Sequence, residues 1–307
     1  MKHLLRILSI ALLAVACNDE IEHGAPIIGF DAQAEHTRAV ADISSLQANG
    51  FSVWGGYEGT TVFEGRKVSY ASGAWTYDNP EVWVMDKIYN FYALYPASIG
   101  EKNDAGSFII SDFDIKTNTS KPKNDAKRID LLRASVLGMD SNNPRSVDLT
   151  FTHMFSEIEV YGMIDQAAYG AKANVEVSSV SIYGIPSVAS YTDLTNTWEI
   201  KTRSDKVNTF YTNTTSKTLT TESQNILGNS LWVAPILDNN CVIQIIYSFN
   251  DVSQTKEIRP LAYTDGGWQA GKRYRYTFTV TNEGSILFDT PKIVPWNNAS
   301  GNSFVIN

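Results

Sequence analysis

Hydrophobic and polar residues alternate along most of this chain with a period of two, the pattern of strands that bury one face. In KRYRYTFTV, Tyr274, Tyr276, Phe278 and Val280 fall on one side and Arg273, Arg275, Thr277 and Thr279 on the other, which predicts a strand whose Arg and Thr side faces water. In NVEVSSVSIY the apolar phase runs Val175, Val177 and then Val180, Ile182; the one-residue slip at Ser178 and Ser179 predicts a β-bulge. Near the N-terminus, Ile28, Phe30, Ala32 and Ala34 share a face opposite Gly29, Asp31, Gln33 and Glu35. This is a further short strand, and Ile27 alone breaks its polar side.

The same reading places strands at Phe51–Gly55, Lys67–Tyr70, Ala74–Tyr77, Asn90–Tyr95, Ser107–Ser111 and Asp130–Val136. Later in the chain it places them at Val147–His153, Glu157–Gly162, Asn174–Tyr183, Thr197–Lys201, Leu227–Ile236, Cys241–Phe249, Thr255–Leu261 and Lys272–Thr281. Turn formers separate them, and no segment sustains a 3.6-residue period, so helices should be few and short. Short strands at this spacing predict an all-β protein built of β-sandwiches. The polar, turn-rich GMDSNNPRS at Gly138–Ser146 predicts a boundary between two sandwiches in tandem, residues 39–145 and 146–307.

The first residues do not belong to that pattern. Lys2 and Arg6 precede ten uncharged, mostly apolar residues, Ile7–Ala16. That run is about half the roughly 20 residues needed to span a bilayer, so residues 1–16 read as a signal peptide. Leu13, Ala14, Val15 and Ala16, closing on Cys17, resemble the lipobox of bacterial lipoproteins, in which the cysteine is acylated. The acids Asp19, Glu20 and Glu22 resemble the signal that carries some lipoproteins to the cell surface. Each buried methylene of a lipid chain adds about 0.8 kcal/mol, so several chains on Cys17 would hold the protein on a membrane. Residues 17–38 then form a lipidated pro-segment carrying one strand.

Charge and cysteines narrow the function classes. Against 33 acids there are 25 Lys and Arg, and two of those lie in residues 1–16, so the exported chain carries a net charge of about −10. An acidic surface argues against nucleic acid as a partner. With Cys17 taken by lipid, Cys241 has no mate within the chain; it shares a face with Ile243, Ile245, Tyr247 and Phe249 and reads as a small buried apolar residue.

The sequence contains no G-x-S-x-G, H-E-x-x-H, phosphate-cradling G-x-x-x-x-G-K-[ST] or C-x-x-C motif, so no enzyme, cofactor or metal site is expected. His153, on one face with Leu149 and Phe151, reads as a core-edge residue satisfied by a hydrogen bond. Asp112 and Asp114 lack the glycine and further oxygen ligands of a calcium loop. Trp54, Tyr57, Trp75, Tyr77 and Trp83 have the rings to stack on sugars, but large aromatics also fill small sandwich cores.

Taken together, the lipobox at Cys17, the Thr37-Arg38-Ala39 junction, FSVWG at Phe51–Gly55, WTY at Trp75–Tyr77, FYALYP at Phe91–Pro96 and DLLRAS at Asp130–Ser135 form an ordered series. It continues with LTFTHMFSEIEV at Leu149–Val160, LWVAPI at Leu231–Ile236 and WQAGKRYRYTFTV at Trp268–Val280. In these motifs and their order the chain resembles the fimbrillin family, the lipoprotein precursors of type V pilus subunits and their tip relatives in Bacteroidota. Ala270 departs from the proline that many members carry there.

The resemblance implies two transthyretin-like β-sandwich domains, a lipid anchor at Cys17 in the outer membrane, and display at the cell surface in a fimbrium. It implies cleavage by an arginine-specific protease between Arg38 and Ala39, followed by polymerisation with other pilin subunits through strand donation. Independently of the family, a sandwich lacking a strand exposes unpaired backbone and apolar pockets that invite another strand. Ile28, Phe30, Ala32 and Ala34 would fill that groove in the precursor, and burial of Ile28 and Phe30 contributes roughly 3–6 kcal/mol before entropy.

The candidate donor is the tail from Ile286, in which Ile286 and Phe288 share a face, as do Phe304 and Ile306, with Ile293 and Trp296 between. Pro291 and Pro295 divide it into extended pieces. The alternative is that the tail completes its own domain. For the whole chain, the alternative to a shaft or tip subunit is a monomeric surface lipoprotein that binds a host or bacterial glycan or protein.

Overall fold

The computed structural model describes residues 25–34, 43–122, 125–264 and 266–296. They form an all-β protein. In chain order the first strands are β1 (Phe30–Ala34), β2 (Phe51–Tyr57), β3 (Thr60–Ala71), β4 (Ala74–Thr76), β5 (Ile88–Tyr95), β6 (Glu101–Lys102), β7 (Phe108–Asp114), β8 (Leu132–Asp140) and β9 (Val147–His153). The short helices α1 (Ile43–Asn49) and α2 (Ile115–Ser120) lie among them. Then come β10 (Ser156–Ile164), α3 (Gln166–Gly170), β11 (Val175–Tyr183), β12 (Pro186–Thr192), β13 (Thr197–Arg203), β14 (Tyr211–Asn213), β15 (Lys217–Thr218) and β16 (Gln224–Asn225). The last are β17 (Leu231–Val233), β18 (Val242–Phe249), β19 (Val252–Ile258), β20 (Lys272–Val280), β21 (Ile286–Phe288) and β22 (Lys292–Pro295).

Among the described residues, one sheet has the order β1-β9-β8-β5-β2-β3-β4, and its end strands β1 and β4 approach each other. A second follows β16-β10-β20-β21, with β17 beside β10 and β22 beside β20. A third follows β14-β11-β18-β19, with β15 against β11. The fourth, β13-β12-β7-β6, joins strands from the two halves of the chain.

Two apolar clusters fill these layers. Ile28, Phe30, Phe51, Val53, Phe63, Phe91, Leu149 and Phe151 belong to the first. The second is built mainly on the strands after β9, and it also takes Trp54, Leu94, Phe108, Ile110, Ile115 and Leu131 from earlier in the chain. Strand β2 explains how the two meet. Phe51 and Val53 point into the first cluster and Trp54, one residue out of phase, into the second, where it packs on Phe108 at 5.1 Å between ring centroids. A strand buried on both faces therefore links the two bodies. Its Gly55, at φ 144°, has no room for a Cβ, which would lie 2.2 Å from the Asn90 carbonyl oxygen.

Several expectations meet the structure directly. The β11–β18 register shifts between Val177 and Ser179, where the slipped phase predicts a bulge. The stretch Gly138–Ser146, expected as an interdomain linker, is instead the end of β8 and the turn into β9. The two strands pair antiparallel, Leu132 with His153 and Arg133 with Thr152. β9, expected to open the second half, lies in the first sheet with Val147, Leu149 and Phe151 in the first cluster. From Met154 and Phe155 onward the clustered buried apolar residues belong to the second cluster.

The Arg and Thr side of β20 was expected to face water, and Arg273 corrects this: it is 3% exposed. It pairs in parallel register with β10, opposite Glu157, whose carboxylate accepts from the Arg273 guanidinium. Arg275 and Glu159 repeat the arrangement one step along, at 2.9 Å. Glu157, Glu159 and Arg273 are buried and Arg275 is half-buried, each charge meeting its opposite across the strands.

Candidate functional site

Ile28, Phe30, Ala32 and Ala34 do share the inner face. Ile28 is fully buried, Phe30 is 4% exposed, and the two alanines are half-buried against the same cluster, while Asp31 and Gln33 face out. Ile27, the residue that breaks the polar side, is 59% exposed and makes a bridge with Val82.

The segment is held along both sides in turn. Ile28 N–H donates to the Glu81 carbonyl oxygen at 2.8 Å and Trp83 N–H to Pro26 at 2.9 Å. The Tyr77 hydroxyl donates to the Ile28 carbonyl at 2.7 Å. From Phe30 on, β1 runs parallel to β9, with Phe30 opposite Val147 and Ala34 opposite Phe151. Gln33 adds a side-chain bond to Thr150 at 3.1 Å. Within the sheet path β1 is an end strand, paired to β9.

Phe30 is the anchor of the arrangement. Its ring meets Phe63, Tyr77 and Phe91 edge to face at 5.3, 5.6 and 5.8 Å. Edge-to-face contacts of this kind add about 0.5–1.5 kcal/mol each beyond burial. Burial declines from Ile28 and Phe30 to the alanines, so the N-terminal half of the segment carries most of its apolar contact.

The tail from Ile286 folds against its own chain as far as it is described. β21 and β22 both pair antiparallel with β20, Ile286 opposite Val280, Phe288 opposite Phe278 and Ile293 opposite Tyr274. Ile286 is buried and Phe288 stacks on Phe278 at 6.0 Å, whereas Ile293 is 45% exposed. Trp296 is buried, stacked on His153 at 4.5 Å with 14° between planes and tilted on Trp232 at 5.6 Å. Its N–H donates to the Gly271 carbonyl. Cys17, Arg38, Ala39, Phe304 and Ile306 lie outside the described residues.

The remaining candidates have structural places. His153 pairs through Nδ1 with Asp130 at 3.0 Å, both side chains buried. Cys241 is fully buried, and burial pushes its thiol well above the usual range. Trp54 and Trp83 are core residues; Tyr57, Trp75 and Tyr77 are half-buried against the first cluster. Asp114 caps α2 by accepting from Thr117 N–H at 2.8 Å. Trp198, which drew no attention as a sequence candidate, lines an open cleft. Its alternation with Ile200 was a signal for a strand but not for a site.

A family model described as fimbrillin-like matches residues 37–296. No curated protein matches the chain. Among solved structures, a fimbrial protein from Bacteroides vulgatus is 15% identical, with a TM-score of 0.58 over 88% of this chain and 99% of that one. A proposed cell adhesion protein from Bacteroides uniformis is 18% identical, with a TM-score of 0.54 over 88% and 99%. At these identities the likeness is one of fold.

Proposed function

The chain belongs to the fimbrillin-like family, and on that premise we propose that it is a structural or adhesive subunit of a cell-surface fimbria. It is exported as a lipoprotein anchored through Cys17 and assembled with other pilin subunits by strand exchange after an arginine-specific protease cuts between Arg38 and Ala39. In this reading the two apolar clusters are the cores of two transthyretin-like sandwiches, joined at Met154 and Phe155, where the cluster membership changes.

The observation that carries the proposal is Phe30: a core ring supplied by an end strand upstream of Arg38. Withdrawal of β1 would uncover the backbone edge of β9 from Val147 to Phe151 and empty the sites of Ile28 and Phe30. An edge of that kind, with apolar pockets at alternate positions, is a receptor for another strand. Refilling the two large sites contributes roughly 1.5–3 kcal/mol each. Proteolysis makes the exchange one-way, because the old strand is then no longer tethered.

The test is treatment of the purified protein with a trypsin-like protease, followed by gels for SDS-resistant ladders. Ladders should form only after the cut. Persistent monomers after cleavage at Arg38 would sink polymerisation, and ladders from an Arg38→Ala protein would sink the role given to that residue.

A second reading is a monomeric surface lipoprotein that binds a glycan or protein. It is favoured by the packing of Ile286, Phe288 and Trp296 on their own chain, which leaves that part of the tail engaged. Light scattering on the cleaved protein separates the two readings.

A further inference from the structure

A cleft of about 600 Å³ opens where the end of β9, the edge strand β13 and the loops at Pro235–Asp238 and Trp268–Ala270 come together. We propose that it binds a neutral oligosaccharide, with a sugar ring stacked on Trp198. The proposal deepens the adhesive part of the functional reading and is independent of polymerisation.

Trp198 is half-buried, and its ring is fixed from behind. Phe155 stacks on it at 5.5 Å with 21° between planes, and Tyr191 leans on it at 5.2 Å. Its position therefore does not have to be ordered when a ligand arrives, which removes an entropic cost of binding. Ile200, two residues along the same strand face, is 38% exposed, and Leu237 across the cleft is 81% exposed. An indole with flanking aliphatic groups matches the C–H face of a pyranose.

The polar groups around this surface include Arg133, His153, Asn196, Asp238 and Gln269, and His153 is paired with Asp130. The charges among them are already compensated within the wall. Arg133 Nε donates to Asp193 Oδ1 at 2.7 Å, and Asp238 accepts from Arg203. A charged ligand would find no unpaired opposite charge here, so charge does not select the ligand. A purely apolar occupant would bury Arg133, Asp238 and Gln269 against carbon, which is unfavourable without hydrogen-bond partners. Hydroxyl groups offer donors and acceptors at no charge cost.

Asn196 is prepared for such a ligand. It sits in a left-handed turn at φ 51°, its N–H donating to the Asp193 carbonyl at 3.0 Å. Its Oδ1 accepts from the Tyr191 hydroxyl at 2.8 Å. Burial raises the Tyr191 pKa, so the hydroxyl stays protonated and remains a donor. With Oδ1 engaged in that bond, the Nδ2 hydrogens are left for an acceptor. The volume lies within the roughly 300–1,000 Å³ of small-molecule sites.

The test uses the full-length protein on an array of neutral and acidic oligosaccharides, with hits titrated by calorimetry and by tryptophan fluorescence. Neutral glycans should bind, and Trp198→Ala should weaken them at least tenfold. Because Trp198 also packs on Phe155, the exposed Gln269→Ala and Leu237→Ala are the second arm; each should weaken binding severalfold with thermal unfolding unchanged. Trp75→Ala, on the other core, should bind as wild type. No binding by wild type, binding only to acidic glycans, or binding unaffected by Trp198→Ala and Gln269→Ala would each overturn the proposal. SDS-resistant ladders from a protein that binds no glycan would leave the fimbrial reading standing and remove only the cleft's role.

Discussion

The ring of Phe30 meets the ring of Phe63 edge to face with 5.3 Å between centroids. The first apolar cluster is thereby closed by a residue that precedes Arg38, the expected site of cleavage. Phe30→Ala removes contacts with Phe63, Tyr77 and Phe91 at once. It should destabilise the uncut chain by about 3–5 kcal/mol, read as a lower denaturant midpoint with an unchanged m-value. Asp31→Ala, on the outer face of the same strand, should shift the midpoint by less than about 0.5 kcal/mol.

Trp296 gives the matching expectation at the other end. Its ring lies between His153 and Trp232, and its carbonyl accepts from the Arg273 guanidinium at 3.3 Å. Trp296→Ala should cost about 3–5 kcal/mol in the same assay. Ile293→Ala, half exposed on β22, should cost much less. A Trp296→Ala protein of wild-type stability would mean that this part of the tail is free to leave its own domain.

The buried row between β10 and β20 predicts an asymmetry. Glu157→Gln leaves the Arg273 charge buried with its main partner weakened and should cost about 3–5 kcal/mol. The double change Glu157→Met with Arg273→Met removes both charges and should lie between wild type and Glu157→Gln in stability. Thermal unfolding of the three proteins at one pH checks the order.

Cys241 should be inert while the chain is folded. The thiolate is the reacting form, and burial raises the thiol pKa, so less thiolate is present at any pH than for an exposed cysteine. In a Cys17→Ser background, a thiol reagent at pH 8 should modify Cys241 only as fast as the protein opens, and at once in denaturant. Raising the pH to 9 should accelerate a small-thiol control more than it accelerates Cys241.

Local alternation was enough to read the strands around Phe51, Asn90, Val147 and Val175, the bulge at Ser178 and Ser179, and the inner face of Ile28 and Phe30. Each of these depends only on which side chains share a side of a pleat, a property of neighbours two residues apart. β12 escaped that reading. It opens on Pro186, which reads as a turn signal, although the first residue of a strand tolerates proline.

Alternation does not say what covers a face, and that was left to the tertiary structure. Arg273 and Thr277 share a polar side that reads as solvated, yet Arg273 is buried because Glu157 stands opposite it and Trp296 comes back over it. Gly138–Ser146 has the composition of a linker, yet it is a hairpin turn because β9 finds β8 and β1 in the first sheet. Trp198 looks like any strand aromatic; it lines a cleft because β13 is an edge strand facing loops from Pro235 and Trp268. By itself the sequence determined the strand phase and the all-β class, since both follow from local stereochemistry. Partner, layer and cleft come from residues far apart in the chain, and only their packing decided them.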